Sequence, residues 1–201
     1  MISSAIMMST FPNNIKSNLK PVVYLNIGET FFSNGYHEIR TILGSCVSVC
    51  LFHEQTKFSA INHILLPKVS DFKEEQKSLR YGENSMEHLI SYFVKQNIPR
   101  YQLKAKIFGG TQSPLLPNFQ AGTKNIQFVT DFLTYEKIPI ASRDTGGELY
   151  RKLSFHTDSF DVFITKLQPQ AISEILIQEK HFETKVKERM LKKTSIFNFN
   201  Q

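Results

Sequence analysis

Cys46 and Cys50 are the only thiols in a chain of 201 residues, and one of them stands where a nucleophile could form. Cys46 follows Gly44-Ser45. A turn of small residues ahead of an ordered segment exposes a side chain and leaves backbone N–H groups to face an oxyanion. Cys50 has no such turn and reads as a structural thiol. Most free cysteines behave as small buried hydrophobes, so for Cys46 the catalytic and the structural readings both stand. In an extended segment, residues four apart lie roughly 13 Å apart, beyond the ~7 Å between Cα atoms that a disulfide spans. Both are expected as thiols.

His63 is the second candidate. Asn62-His63 opens the apolar run Ile64-Leu65-Leu66, closed by Pro67, which would hold an imidazole at the edge of a core. There it can act as base to a thiol and favour the thiolate, or it can be a hydrogen-bonded core histidine. His37, His53, His88, His156 and His181 lie in mostly polar surroundings without paired metal spacing and read as surface residues. Gly109-Gly110, after an apolar run, and Gly146-Gly147, after Asp144, would each let backbone approach a substrate closely. Neither pair completes a dinucleotide or P-loop fingerprint, so nucleotide cofactors are disfavoured.

The elements that must position these groups are short. Val22–Ile27 reads as a strand, with Gly28-Glu29-Thr30 as a turn, and Ile39–Leu43 as a second strand. Cys46–Phe52 is apolar on both faces, and period alone leaves it as a buried strand or a buried helix. Phe58–Leu66 is another apolar run, and 69–77 is a charged loop. Met86, Leu89, Ile90 and Phe93 predict a helix over Ser85–Gln96, stopped by Asn97 and Pro99. A strand at Leu103–Phe108, a surface loop at Ser113–Gly122 and a helix at Asn125–Glu136 follow. Ile138-Pro139-Ile140 then leads into Asp144-Thr145-Gly146-Gly147, and Arg151–His156 and Phe160–Lys166 are strands. Mixed strands with two amphipathic helices make an α+β layered fold.

Composition limits what this fold can be. A hydrophobic share of 41% with 17 Phe excludes a disordered chain, and no apolar run reaches the roughly 18 residues of a spanning helix, so no membrane insertion is expected. Net charge is +6 without a dense basic block, which suits an acidic partner and ranks nucleic acid last among partners. The opening residues lack a basic, apolar leader pattern, which makes the cytoplasm the expected compartment. Residues 1–20 read as a loose arm and 21–168 as the domain. Residues 169–201 form a tail in which Ala171–Lys193, with six basic and four acidic residues, reads as an amphipathic helix.

Five motifs in order bring a family into view: Thr41-Ile-Leu-Gly-Ser-Cys46-Val, Ile61-Asn-His63-Ile-Leu-Leu-Pro67, Arg80-Tyr-Gly82, Lys106-Ile-Phe-Gly-Gly110 and Asp144-Thr-Gly-Gly147. Over roughly Val22 to Lys166 the chain resembles the chemoreceptor glutamine deamidases of the CheD family. The resemblance implies Cys46 as nucleophile, His63 as its base and Thr41 as the third member. It offers Ser45, Asn62, Gly109 and Gly110 as oxyanion or substrate-binding positions. It implies an α/β/β/α-type sandwich of mixed sheets with outer helices, no metal or organic cofactor, and hydrolysis of glutamine side chains on a receptor's cytoplasmic helical bundle. A CheC-type chemotaxis phosphatase is the further partner implied. An interaction module of the chemotaxis array, with little or no enzyme activity, is the alternative from another class.

Overall fold

In the computed structural model, residues 21–65, 81–112 and 120–168 are described. The N-terminal arm, the loop at 69–77, most of the loop at 113–122 and the C-terminal tail helix fall outside the described residues. Two mixed sheets form. One orders its strands β1 (Val22–Tyr24), β3 (Glu38–Leu43), β8 (Tyr150–His156) and β9 (Val162–Leu167). The other orders β2 (Thr30–Ser33), β5 (Ser59–Asn62), β4 (Val47–Phe52), β6 (Lys104–Gly109) and β7 (Ile140–Thr145). The pairs β1–β3 and β6–β7 are parallel and the others antiparallel.

The ambiguous segment after Cys46 is a strand, and its burial explains why no period marked it. All six residues of β4 are buried, as in a strand covered on both faces. Val47, Val49 and Leu51 pack with Met86, Leu89, Ile90 and Phe93 of α1 (Gly82–Lys95) and with Val129 and Leu133 of α2 (Ala121–Tyr135). Cys46, Cys50 and Phe52 face the other way, toward Ile39 and Leu43 of β3 and Leu153 and Phe155 of β8. The layers are therefore helices, five-stranded sheet and four-stranded sheet, with the expected sandwich of mixed sheets and outer helices. Both described helices cover the five-stranded sheet.

Each helix closes on the same device without glycine. Asn97 and Lys137 take positive φ (60° and 57°). The next residues, Ile98 and Ile138, donate back to Phe93 and Leu133, and their buried side chains anchor the stop. Two strands, β2 and β7, were not anticipated, and Thr30, expected in a turn, begins β2. Both lie at sheet edges, and neither alternates cleanly between apolar and polar residues.

Candidate active site

His63 follows β5, yet its ring reaches the other sheet. Thr41 Oγ1, on β3, lies 2.9 Å from His63 Nδ1 and donates its own proton to the Leu25 carbonyl at 2.8 Å. A hydroxyl that has given its hydrogen away can only accept, so Nδ1 carries the ring proton and Nε2 is the basic nitrogen. Nε2 is buried without a hydrogen-bond partner. Burial pushes the His63 pKa down to about 4, against a smaller opposing pull from the Leu25 carbonyl. The ring is therefore neutral at neutral pH. Its main chain is fixed as well: His63 N–H donates to Glu29 and the His63 carbonyl accepts from Gly28 N–H, at a turn where Gly28 adopts φ 80°.

Cys46 lies on the face to which His63 points. Val47 and Ile64 form an antiparallel bridge with both hydrogen bonds made. Continuing that register sets His63 opposite Ser48, two residues from Cys46 and on its side of the sheet. Such diagonal neighbours are roughly 7 Å apart at Cβ, within reach of one side chain's proton by another. Thr41 and His63 are thus joined between the sheets, with Cys46 on the same inter-sheet face. The small-residue turn does not expose the thiol as the sequence suggested. Cys46 and His63 are each only 3% exposed, because the turn is folded down onto the end of β6.

That folding depends on the glycines. A Cβ on Gly109, which has φ 104°, would lie 2.2 Å from the Cys46 carbonyl oxygen. Gly110 N–H donates to the Cys46 carbonyl at 2.7 Å and Thr111 N–H to the Gly44 carbonyl at 2.8 Å. Gly110 spends its N–H on the main chain of the turn, so the glycine pair supplies close approach. Ser45 is buried in the turn, and its carbonyl accepts from Asn125 Nδ2 at 3.0 Å. Asn62 is not brought to Cys46. Its Oδ1 accepts from Val49 N–H at 2.8 Å and its amide meets Met86 Sδ at 3.5 Å, on the helix side of the sheet.

Two residues that the sequence did not single out tie the site together. One is Asn125. The other is Arg151, 3% exposed, whose guanidinium donates to Asp144 Oδ1, Thr111 Oγ1 and the carbonyls of Gly146 and Leu149. It joins β8 of one sheet to the Gly146-Gly147 turn and the Thr111 segment of the other. Burial opposes ionisation of Asp144, but hydrogen bonding and charge from Arg151, with Lys166, outweigh it and lower its pKa.

Cys50 is also a free thiol, and burial pushes its pKa up, with only partial relief from Lys106. Three histidines read as surface residues are half-buried and engaged: His37 with Ser33, His88 with Thr30, and His156 against the Phe163 ring. His53 is fully buried, because the β4–β5 turn folds over it and Thr56 Oγ1 bonds its Nδ1. His181 lies outside the described residues. Among the described residues no group of three or more metal-ligating side chains occurs, and no helix is long and apolar enough to cross a membrane.

Two mixed sheets enclosing a buried histidine and a buried thiol that is not in a disulfide, with helices outside, place the chain among layered α+β proteins with a cysteine and a histidine on one inter-sheet face. Sequence comparison carries this further. The family model described as CheD chemotactic sensory transduction matches residues 65–166. A probable chemoreceptor glutamine deamidase CheD 2 of Shewanella oneidensis is 31% identical over 179 residues, covering 84% of this chain and 88% of its own. CheD 1 of Geobacter sulfurreducens is 35% identical over 159 residues, covering 74% and 79%, and CheD 2 of Chromobacterium violaceum 38% over 143, covering 70% and 71%. The chain belongs to the CheD family. The family model begins after Thr41, Cys46 and His63, but an alignment spanning 84% of 201 residues necessarily includes all three.

Proposed function

We propose that this chain hydrolyses the side-chain amide of glutamines on chemoreceptor cytoplasmic helices, giving glutamate and ammonia, with Cys46 as nucleophile and His63 as base. The reading rests on the family and on one observation above all: the unprotonated Nε2 of His63, buried without a partner, on the face that carries the Cys46 thiol.

The resting pair is neutral, thiol and imidazole. Nε2 takes the thiol proton as the sulfur adds to the carboxamide carbon, and the carbonyl oxygen becomes an oxyanion. Collapse of that adduct breaks the C–N bond, and the imidazolium proton leaves with ammonia. A thioester to Cys46 remains. Water, deprotonated by the same Nε2, attacks the thioester, and glutamate departs as the thiol regains its proton. Thr41 keeps Nδ1 protonated and the ring in one orientation throughout. A thiol this buried suits a slender side chain with its amide at the tip.

The substrate is then a helical receptor surface in the cytoplasm, and a net charge of +6 favours an acidic one. A CheC-type chemotaxis phosphatase belongs to the same reading as a partner, and residues 21–168 of this chain are the deamidase domain. The test is ammonia release from a purified chemoreceptor cytoplasmic fragment. Release by the parent and none by Cys46→Ala supports the reading. Binding of the fragment without release would leave an interaction module.

A further inference from the structure

Arg151 brings a full positive charge into the interior beside the turn that carries Cys46, and all five of its side-chain hydrogens are spent there. Nε and Nη2 donate to Asp144 Oδ1 at 3.2 and 2.8 Å, and Nη2 also to the Gly146 carbonyl at 2.8 Å. Nη1 donates to Thr111 Oγ1 and to the Leu149 carbonyl, both at 3.1 Å. None is left for a substrate, so Arg151 acts on a reaction only through these partners.

Two routes lead from the guanidinium to the nucleophile's turn. The first runs through Thr111, whose side chain takes the Nη1 hydrogen and whose N–H donates to the Gly44 carbonyl at 2.8 Å. The main chain of Arg151 closes this route into a ring, since on β8 it pairs with Leu43, the last residue of β3 before Gly44. The second runs through Gly146: its carbonyl is held by Arg151, its N–H donates to the Gly109 carbonyl at 2.9 Å, and the next residue, Gly110, donates to the Cys46 carbonyl at 2.7 Å. The two routes end on Gly44 and Cys46, on either side of Ser45.

We propose that Arg151 is a positioning residue for the reaction: acting through Thr111, it braces the Gly44–Cys46 turn against both sheets and so fixes the Cys46 thiol in the place from which it attacks the amide. The inference deepens the reading of Cys46 as nucleophile and rests on it. Taking a guanidinium out of water is costly, and packed apolar side chains in place of a buried ion pair are often no less stable. An apolar side chain has no directions to impose. The planar guanidinium fork holds Asp144, Thr111 and Gly146 at fixed angles to one another, and a displacement of about 1 Å at a reacting group costs on the order of 10²-fold in rate.

The test uses the two thiols of one segment against each other. Cys50, fully buried in the ladder four residues beyond Cys46, reports general loosening of the core. Arg151→Lys keeps the positive charge beside Asp144 but has too few donors to hold every partner, and Thr111→Val keeps the N–H to Gly44 while removing the hydroxyl that Arg151 holds. On a chemoreceptor cytoplasmic fragment, at a temperature where melts show each variant folded, we expect kcat to fall about 10- to 100-fold in Arg151→Lys and about 3- to 10-fold in Thr111→Val, with KM within about threefold of the parent. Cys50 should resist iodoacetamide as it does in the parent, read by fragment-ion mass spectrometry. A parental kcat in either folded variant overturns the proposal, and so does a fall in kcat that comes with labelling of Cys50, the mark of a merely structural residue. If Arg151→Lys does not fold, Thr111→Val alone decides, and failure of both to fold overturns the proposal. Retained turnover in Cys46→Ala is a different result, and it removes the nucleophile reading itself.

Discussion

Cys46 and Cys50 face the same inter-sheet core from one segment of chain, and their surroundings differ in what the backbone is free to do. Cys50 sits inside the ladder, paired with Ile61 on one side and Lys106 on the other, so its main chain is committed to the sheet. Cys46 stands just before β4, where the ladder has not begun. There the carbonyls of Gly44, Ser45 and Cys46 go to Thr111, Asn125 and Gly110, and a histidine from the neighbouring segment lies on the same face. At the strand end the main chain is held by groups from other elements, and at the strand centre by the ladder itself.

The sharpest way to break this comparison is to remove each thiol in turn. Cys46→Ala should lower deamidation at least ~10³-fold. Cys50→Ala should keep turnover within about threefold and cost about 1 kcal/mol of stability from lost packing, read by denaturant melts. Equal loss of activity in two folded variants would erase the distinction between strand end and strand centre.

The next effect belongs to His63. His63→Ala should fold and lose about 10²- to 10⁴-fold in turnover, with slower alkylation of Cys46 near neutral pH. Alkylation at the parent's rate would take His63 out of the base role. Thr41→Val keeps the shape of the side chain and removes the hydroxyl that accepts from Nδ1. It should slow turnover roughly 5- to 150-fold, the equivalent of about 1 to 3 kcal/mol in the transition state, with little change in receptor binding. If Thr41→Val turns over like the parent, the hydroxyl serves only to pack β3.

The smallest effect is on stability against pH. The folded-state pKa of His63, about 4, lies below the ~6.5 of an unfolded histidine. Between these values the unfolded chain binds the proton and the folded one does not, so stability falls as pH drops through this window. From pH 7 to pH 5 this group alone should remove about 2 kcal/mol. Chemical denaturation at the two pH values should show that increment in the parent and its loss in His63→Gln. An unchanged increment in the variant would mean that other groups carry it.

What could be read from the sequence follows the same division between strand ends and element interiors. The helices were legible because Met86, Leu89, Ile90 and Phe93 repeat at the helical period, and β4 was legible as a buried segment though not as a strand, since it is apolar on both faces. β2 and β7 were not, because four residues of Thr-Phe-Phe-Ser and an edge strand of Ile-Ala-Ser-Arg-Asp-Thr bury too little to show a pattern. Thr41, Cys46 and His63 stood out through motifs. The burial of Cys46 did not, since it depends on Gly109 and Gly110, more than 60 residues away, closing over the turn. Asn125 had a signal that could have been followed: a polar residue one and two turns before Val129 and Leu133, on the buried stripe of α2. Arg151 had none, because its partners converge from β7, from Thr111 and from the Gly146 turn.

The most direct measurement is site-resolved mass spectrometry of a chemoreceptor cytoplasmic fragment after incubation with the protein or with Cys46→Ala. The account predicts conversion of glutamine to glutamate at a small set of receptor positions by the parent and at none of them by the variant. Conversion at equal rates by both proteins, or none by the folded parent bound to the fragment, would contradict it.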